Sequence, residues 1–228
     1  MVEDEVKARC ALMIATGMVL SIGFIFLPLH ECMAEDPLQH SAVGEKEKAA
    51  GMISIISGLL TSSSAIPIPT PYVNEDHIAH IWNIYRESTG HLGLDFSPAI
   101  QLAPFQAVFS GVVEVVDLHQ NEGTSLWHVN LKLVHDDVWS AWYAFEPMVE
   151  GQPYGIEQLW NMAVSEGDHV EVGDLLGNLK AVGPGSHVHF TLNKNDEPIC
   201  PDQYFTPQAR ASIMEIIHQD NPDWDMCY

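Results

Sequence analysis

Between residues 90 and 205 apolar and polar side chains alternate in short runs. The cleanest run is Leu126 to His135. Trp127, Val129, Leu131, Leu133 and His135 fall on one face, and His128, Asn130, Lys132 and Val134 on the other. A period of two is that of a strand with one face in a core. Val112 to Val116, the aromatic-rich Val138 to Phe145, and Val170 to Leu179 read as further strands. Ala107-Val108-Phe109 reads as a further strand, parted from Val112 by a turn or bulge at Ser110-Gly111. Turns at Asn121-Glu122-Gly123 and Asp136-Asp137 separate the runs. Gly151 to Trp160, with Pro153-Tyr154-Gly155, reads as a loop, either part of a substrate wall or a plain surface insertion. Short strands broken by frequent turns, with no helix between them, predict an antiparallel all-β sandwich or barrel.

Helical patterns lie outside this region. Thr206-Pro207 has the form of an N-cap and first helical position. The helix is expected from Pro207 to about His218, with Ile213, Met214, Ile216 and Ile217 facing inward. Asn74-Glu75-Asp76 is expected to open a helical turn through His77 to Trp82. A short helix is expected around 45–60. Alternate prolines then keep Ile66 to Pro71 extended, as a linker. Cys10 to Leu29 is almost wholly apolar, with Lys7 and Arg9 before it and Ala34 after it. It reads as a secretory signal peptide cleaved after Ala34. A retained membrane anchor is the other reading, because about 20 apolar residues also span a bilayer. The expected organisation is a leader over 1–34, a helix and linker over 35–72, and one domain over 73–228.

Composition narrows the partners. The chain has 228 residues, 46% apolar and 18% charged, enough for a core plus a leader. Its net charge of −22 leaves no basic patch for phosphates, which excludes nucleic acid as a partner. Membrane contact is expected only through the N-terminal apolar segment. Oligomeric state leaves no mark in the sequence. Of four cysteines, Cys10 and Cys32 lie in or beside the leader, and Cys200 and Cys227 remain. In an exported domain such a pair reads as a disulfide. Free buried thiols are the other reading.

The candidate chemistry sits in two runs. In Ser186-His187-Val188-His189-Phe190, strand alternation puts both imidazoles on one face and Val188 and Phe190 on the other. In His91-Leu92-Gly93-Leu94-Asp95-Phe96, the same reading puts His91, Gly93 and Asp95 together. Glycine between the two polar groups leaves room for a close approach. If the two faces meet, two imidazoles and a carboxylate converge. Two His and one Asp with an open fourth position is a catalytic zinc arrangement. His77 and His80 have no matching carboxylate and read as surface or packing histidines.

His-x-Gly-x-Asp followed about a hundred residues later by His-x-His resembles the lysostaphin/LytM-type zinc metallopeptidases. The text between adds Pro104 to Val113, similar to the family's core strand and Gly-Val-Val, and Val164 to Gly177, similar to its Gly-Asp-x-Val turn. The resemblance covers 90–205, about half the chain. It implies the family's duplicated hybrid motif fold, a barrel-sandwich hybrid. It also implies zinc held by His91, Asp95 and His189, with His187 beside the zinc-activated water. The implied activity is hydrolysis of peptide bonds in peptidoglycan cross-bridges or stems by an exported enzyme, periplasmic or secreted. One position departs. The family carries a His in a Tyr-x-His-Leu context, and here Tyr143-Ala144-Phe145-Glu146 puts Phe145 in its place. Phenylalanine can neither accept nor donate a proton. Glu146 is then the candidate acid–base group, on condition that Pro147 turns it inward. His135 matches a family position of mainly structural role. Two other readings stand beside the peptidase. One is a zinc-holding or metal-free module that binds cell-wall peptide or a partner protein without cutting it. The other, a hybrid-barrel carrier protein, lacks a carrier lysine.

Overall fold

The computed structural model of the chain describes residues 66–228. The N-terminal apolar run, the expected leader or anchor and the helix around 45–60 lie outside the described residues.

Ten strands form among the described residues: β1 (Ile78–Ile81), β2 (Leu94–Pro98), β3 (Leu102–Gln106), β4 (Gly111–Gln120), β5 (Trp127–Val134), β6 (Trp139–Glu146), β7 (His169–Val170), β8 (Leu175–Lys180), β9 (His187–Lys194) and β10 (Glu197–Ile199). Two α-helices accompany them, α1 (Gln152–Leu159) and α2 (Pro207–Asp220). The large sheet has the order β1-β2-β9-β6-β5-β4-β7, with β10 added on β9, and every pairing in it is antiparallel. Strands β3 and β8 pair as a second small sheet. The protein is thus mostly antiparallel β, as the alternation predicts.

Register gives the large sheet two unlike faces. Leu94 and Phe96 of β2, Val188 and Phe190 of β9, Ala141, Tyr143 and Phe145 of β6, and Val129, Leu131 and Leu133 of β5 are all fully buried. They pack with Phe105 of β3, Leu179 of β8 and the α2 residues Ile213, Met214, Ile216 and Ile217. Aromatic edges lock the layers, with Phe105 and Phe145 centroids 5.7 Å apart and Tyr143 and Phe190 5.2 Å apart. Each of the buried Val, Leu and Phe side chains contributes about 1.5–3 kcal/mol by leaving water. The intervening residues point to the outer face, where the polar groups collect. Helix α2 begins as read, with Thr206 Oγ1 accepting from Ala209 N.

The structure differs from the pattern in several places. Gly151 to Trp160 is not a loop but contains α1. Pro153 lies in its first turn, where a missing N–H costs nothing. Gly155 is there for contact: a Cβ would lie 2.6 Å from Trp127 Cβ and 2.7 Å from Leu118 Cδ1. The turn opened by Asn74 stops at His77 as a short 3-10 helix, and Ile78 to Ile81 is strand β1. Ala107 to Phe109 is buried but unpaired as a strand; β3 precedes it and includes Pro104, tolerated in a two-stranded sheet. The chain bends through Ser110 just before β4, and the register shift in β4 falls between Val113 and Val115. The stretch read as a linker is extended, and its Ile68 and the following Tyr72 are buried in the core. Cys200 and Cys227 form a disulfide.

Candidate metal centre

Asp95 sits mid-strand on β2, flanked by the core residues Leu94 and Phe96, so alternation turns its carboxylate outward. Its direct partner across the β2–β9 ladder is His189. Paired residues on adjacent antiparallel strands share a face, and His189 Nδ1 lies 2.7 Å from Asp95 Oδ1. His91 precedes β2 and is not in a strand run. A bridge to Arg86 fixes it there, with hydrogen bonds in both directions between the two backbones. Its Nε2 is 3.1 Å from Asp95 Oδ2. The candidate ligand atoms of His91, Asp95 and His189 lie within 4.8 Å of one another.

The surroundings fit a metal. His91 Nδ1–H donates to the Ile84 carbonyl at 2.9 Å, which leaves Nε2 to act as a ligand. His189 Nε2 meets the Thr191 hydroxyl at 3.1 Å, which leaves Nδ1. Asn83 Nδ2 donates to Asp95 Oδ2 at 2.8 Å. Fixing the second nitrogen of each imidazole and bracing the carboxylate is how metal ligands are held in tautomer and orientation. Gly93 keeps the corner open. A Cβ there would lie 2.6 Å from His189 Nε2 and 2.5 Å from the Phe190 carbonyl oxygen. The close approach is thus made by the His189 ring.

Electrostatics follow the contacts. Burial is the largest influence on Asp95 and works to raise its pKa. Hydrogen bonds from His189 and His91 and the charges of His187 and His189 outweigh it, holding the carboxyl well below the usual range. The Asp95 hydrogen bond raises His91 above an ordinary imidazole, against burial. Metal binding requires neutral imidazoles and an ionised carboxylate, so it competes with these protons.

His187 and Glu146 border the cluster. His187 Nδ1–H donates to the Gly185 carbonyl at 2.8 Å. Its Nε2 lies between two carboxylates, 3.7 Å from Asp95 Oδ1 and 3.8 Å from Glu146 Oε1. Glu146 reaches this face by regular alternation, as the direct partner of His187. No turn at Pro147 is needed. Phe145 points the other way, fully buried against Phe105. The expectation that position 145 borders the site is therefore not met. His80 bonds Asp220 at 2.9 Å and is not part of the cluster, nor is His77. His135 bonds the Ser110 carbonyl at 2.6 Å. Sequence reasoning missed Asn83 and Thr191. Thr191 carried a signal, since it follows His189 by two and shares its face; Asn83 carried none.

No family model matches the chain, and no curated protein matches it. Solved structures do. A zinc-containing peptidase from Vibrio cholerae is 22% identical over 60% of this chain, with a TM-score of 0.38. Lysostaphin is 20% identical over 65% of this chain, with a TM-score of 0.42. The SpoIIQ–SpoIIIAH pore-forming complex matches at 18% identity over 66% of this chain, with a TM-score of 0.45. The chain spans 38% of the Vibrio cholerae peptidase, 56% of lysostaphin and 97% of the matched chain of the complex. At identities and TM-scores this low, these likenesses carry no argument about what the chain does. The fold and the three-residue cluster define an antiparallel β protein with the donor set of a metal centre.

Proposed function

We propose that the chain is an exported zinc metallopeptidase. The observation that supports this best is the cluster of His91, Asp95 and His189, with the second nitrogen of each imidazole already engaged. Two imidazoles and one carboxylate suit zinc and leave a fourth position for substrate or water. When bound, zinc supplies Lewis acidity and lowers the pKa of water at that position to about 7.

The remaining work belongs to the chain. His91, Asp95 and His189 hold the ion. Glu146 Oε1 takes a proton from the attacking water, and His187 Nε2 stands beside it to stabilise the charge that develops. The C–O bond forms, the C–N bond breaks, and the proton passes to the departing amine. Peptidoglycan cross-bridges or stem peptides are the substrate class that the motif resemblance points to. The Cys200–Cys227 disulfide supports an oxidising compartment, periplasmic or extracellular.

The test pairs metal content with a digest of peptidoglycan and of a glycine-rich peptide. Hydrolysis and zinc bound at this cluster are expected in the wild type, and in His189→Ala hydrolysis and that one equivalent of zinc are lost. One observation favours a second reading, a zinc-holding module that binds such peptides without cutting them. Beside the cluster, β6 contributes Ala144 and Glu146 and no imidazole. Zinc with binding but no hydrolysis would select that reading.

A further inference from the structure

The outer face carries a second pair of imidazoles. His119 of β4 and His128 of β5 are direct cross-strand partners, and their ring centroids lie 5.1 Å apart. In the first cluster the His91 and His189 rings are 4.9 Å apart. Two imidazoles on one tetrahedral ion, each bound at about 2.0–2.1 Å, put their centroids about 5 Å apart. Both pairs have that spacing.

They differ in how their nitrogens are satisfied. In the first pair each non-ligating nitrogen has a partner. His128 is only 7% exposed, and its Nδ1 is buried without a hydrogen-bond partner. Leaving such a buried group unpaired is costly, and a bound cation would satisfy it. Burial is the main influence on the His128 pKa and pushes it down, which favours the neutral form that ligates. Against burial, Glu146 is the strongest charge acting on His128, Asn130 hydrogen-bonds it, and Asp117 is a weaker second carboxylate. Asp117 lies two residues before His119 on the same face of β4, opposite Asn130. His119 is exposed, so its ring is able to turn onto an ion.

We propose that His119, His128 and Asp117 form a second site for a borderline divalent metal, of the zinc or cobalt kind. It is built on β4 and β5, whereas the first cluster is built on β2, β9 and the loop before β2. Glu146 pairs with His187 across the β6–β9 ladder and also acts on His128. Hard cations attracted by a net charge of −22 would not need imidazole, so dependence on His119 and His128 is the mark of this site.

The experiment counts metal equivalents on the full chain titrated with Zn²⁺, and with Co²⁺ as a spectroscopic probe, in excess Ca²⁺. Two equivalents are expected in the wild type. His119→Ala and His128→Ala should each lose one, and His189→Ala the other. His119 is exposed, so its variant remains informative even if His128→Ala fails to fold. A second equivalent that survives His119→Ala, or that Ca²⁺ displaces, would overturn the proposal. So would a wild type holding one equivalent that His189→Ala abolishes. A wild type holding one equivalent that His119→Ala abolishes would support the second site and count against the peptidase reading.

Discussion

Glu146 and His187 face each other across the β6–β9 ladder as directly paired residues, with Oε1 3.8 Å from Nε2. The pairing puts a carboxylate and an imidazole beside the His91, Asp95 and His189 cluster with no distortion of either strand. If Glu146 moves the proton, Glu146→Gln should lower peptide hydrolysis by about 10²–10⁴-fold and leave metal content unchanged. A digest alongside metal analysis checks both. Unchanged turnover would remove Glu146 from the mechanism.

Phe145→His should not create an active-site histidine. Position 145 lies in the core, where Phe145 packs edge-on to Phe105. Truncating such a side chain to alanine costs about 3–5 kcal/mol, and an imidazole there adds a polar group needing a partner. Urea denaturation should show a loss of that order, with no gain in hydrolysis. A gain would mean that the strand turns over at this point.

Asn83→Ala should weaken zinc binding without removing a ligand. Asn83 braces Asp95 Oδ2, and losing such a support typically costs about 10–100-fold in metal affinity. Competition with a chelator of known affinity measures the change. Thr191→Val tests the equivalent support of His189.

Acid should act on Asp95 in a defined direction. Its folded pKa is depressed relative to an unfolded aspartate, about 3.9. Its contribution to stability is therefore present above that value and lost as pH falls through the folded one. For chelator-treated protein, the stability gap between wild type and Asp95→Asn should narrow steadily below about pH 4. His91 runs the other way. Its pKa is raised, so its contribution is full below about 6.5 and fades as pH rises through the folded value. A gap that ignores pH would show that the imidazoles do not hold Asp95 ionised.

Much of the fold was legible because it rests on alternation. Val129, Leu131 and Leu133 read as one buried face, and they are. Parity puts Asp95 on a polar strand face and His187 and His189 on another, and the β2–β9 pairing is what brings the two together. Parity also puts His91 on the Asp95 face, but the residue is not in the strand. It lies ahead of β2, and its position depends on a bridge to Arg86 that no periodicity records. Helix α1 was hidden because Pro153 and Gly155 resemble turn residues; one serves as a helix start and the other as a packing contact. The motif resemblance puts position 145 at the site, whereas strand parity puts it in the core. Tyr143 and Phe145 alternate as core residues, and the neighbour facing the site is Glu146.

The Cys200–Cys227 bond closes a separation of 27 residues. Reduction should cost about 3–4 kcal/mol in the chain-entropy model, measured by denaturation with and without reductant. The neighbours of Cys227 make it more than a staple. Tyr85 N donates to the Met226 carbonyl at 3.1 Å, and Tyr228 N donates to the Tyr85 carbonyl at 2.9 Å. Ile84 and Arg86, on either side of Tyr85, are the residues that hold His91. During synthesis this corner therefore stays unfinished until residues 226–228 have emerged. The backbone that positions His91 thus takes its support from residues made long after it, and the candidate ligand set is braced on that side only once Met226 and Tyr228 are in place.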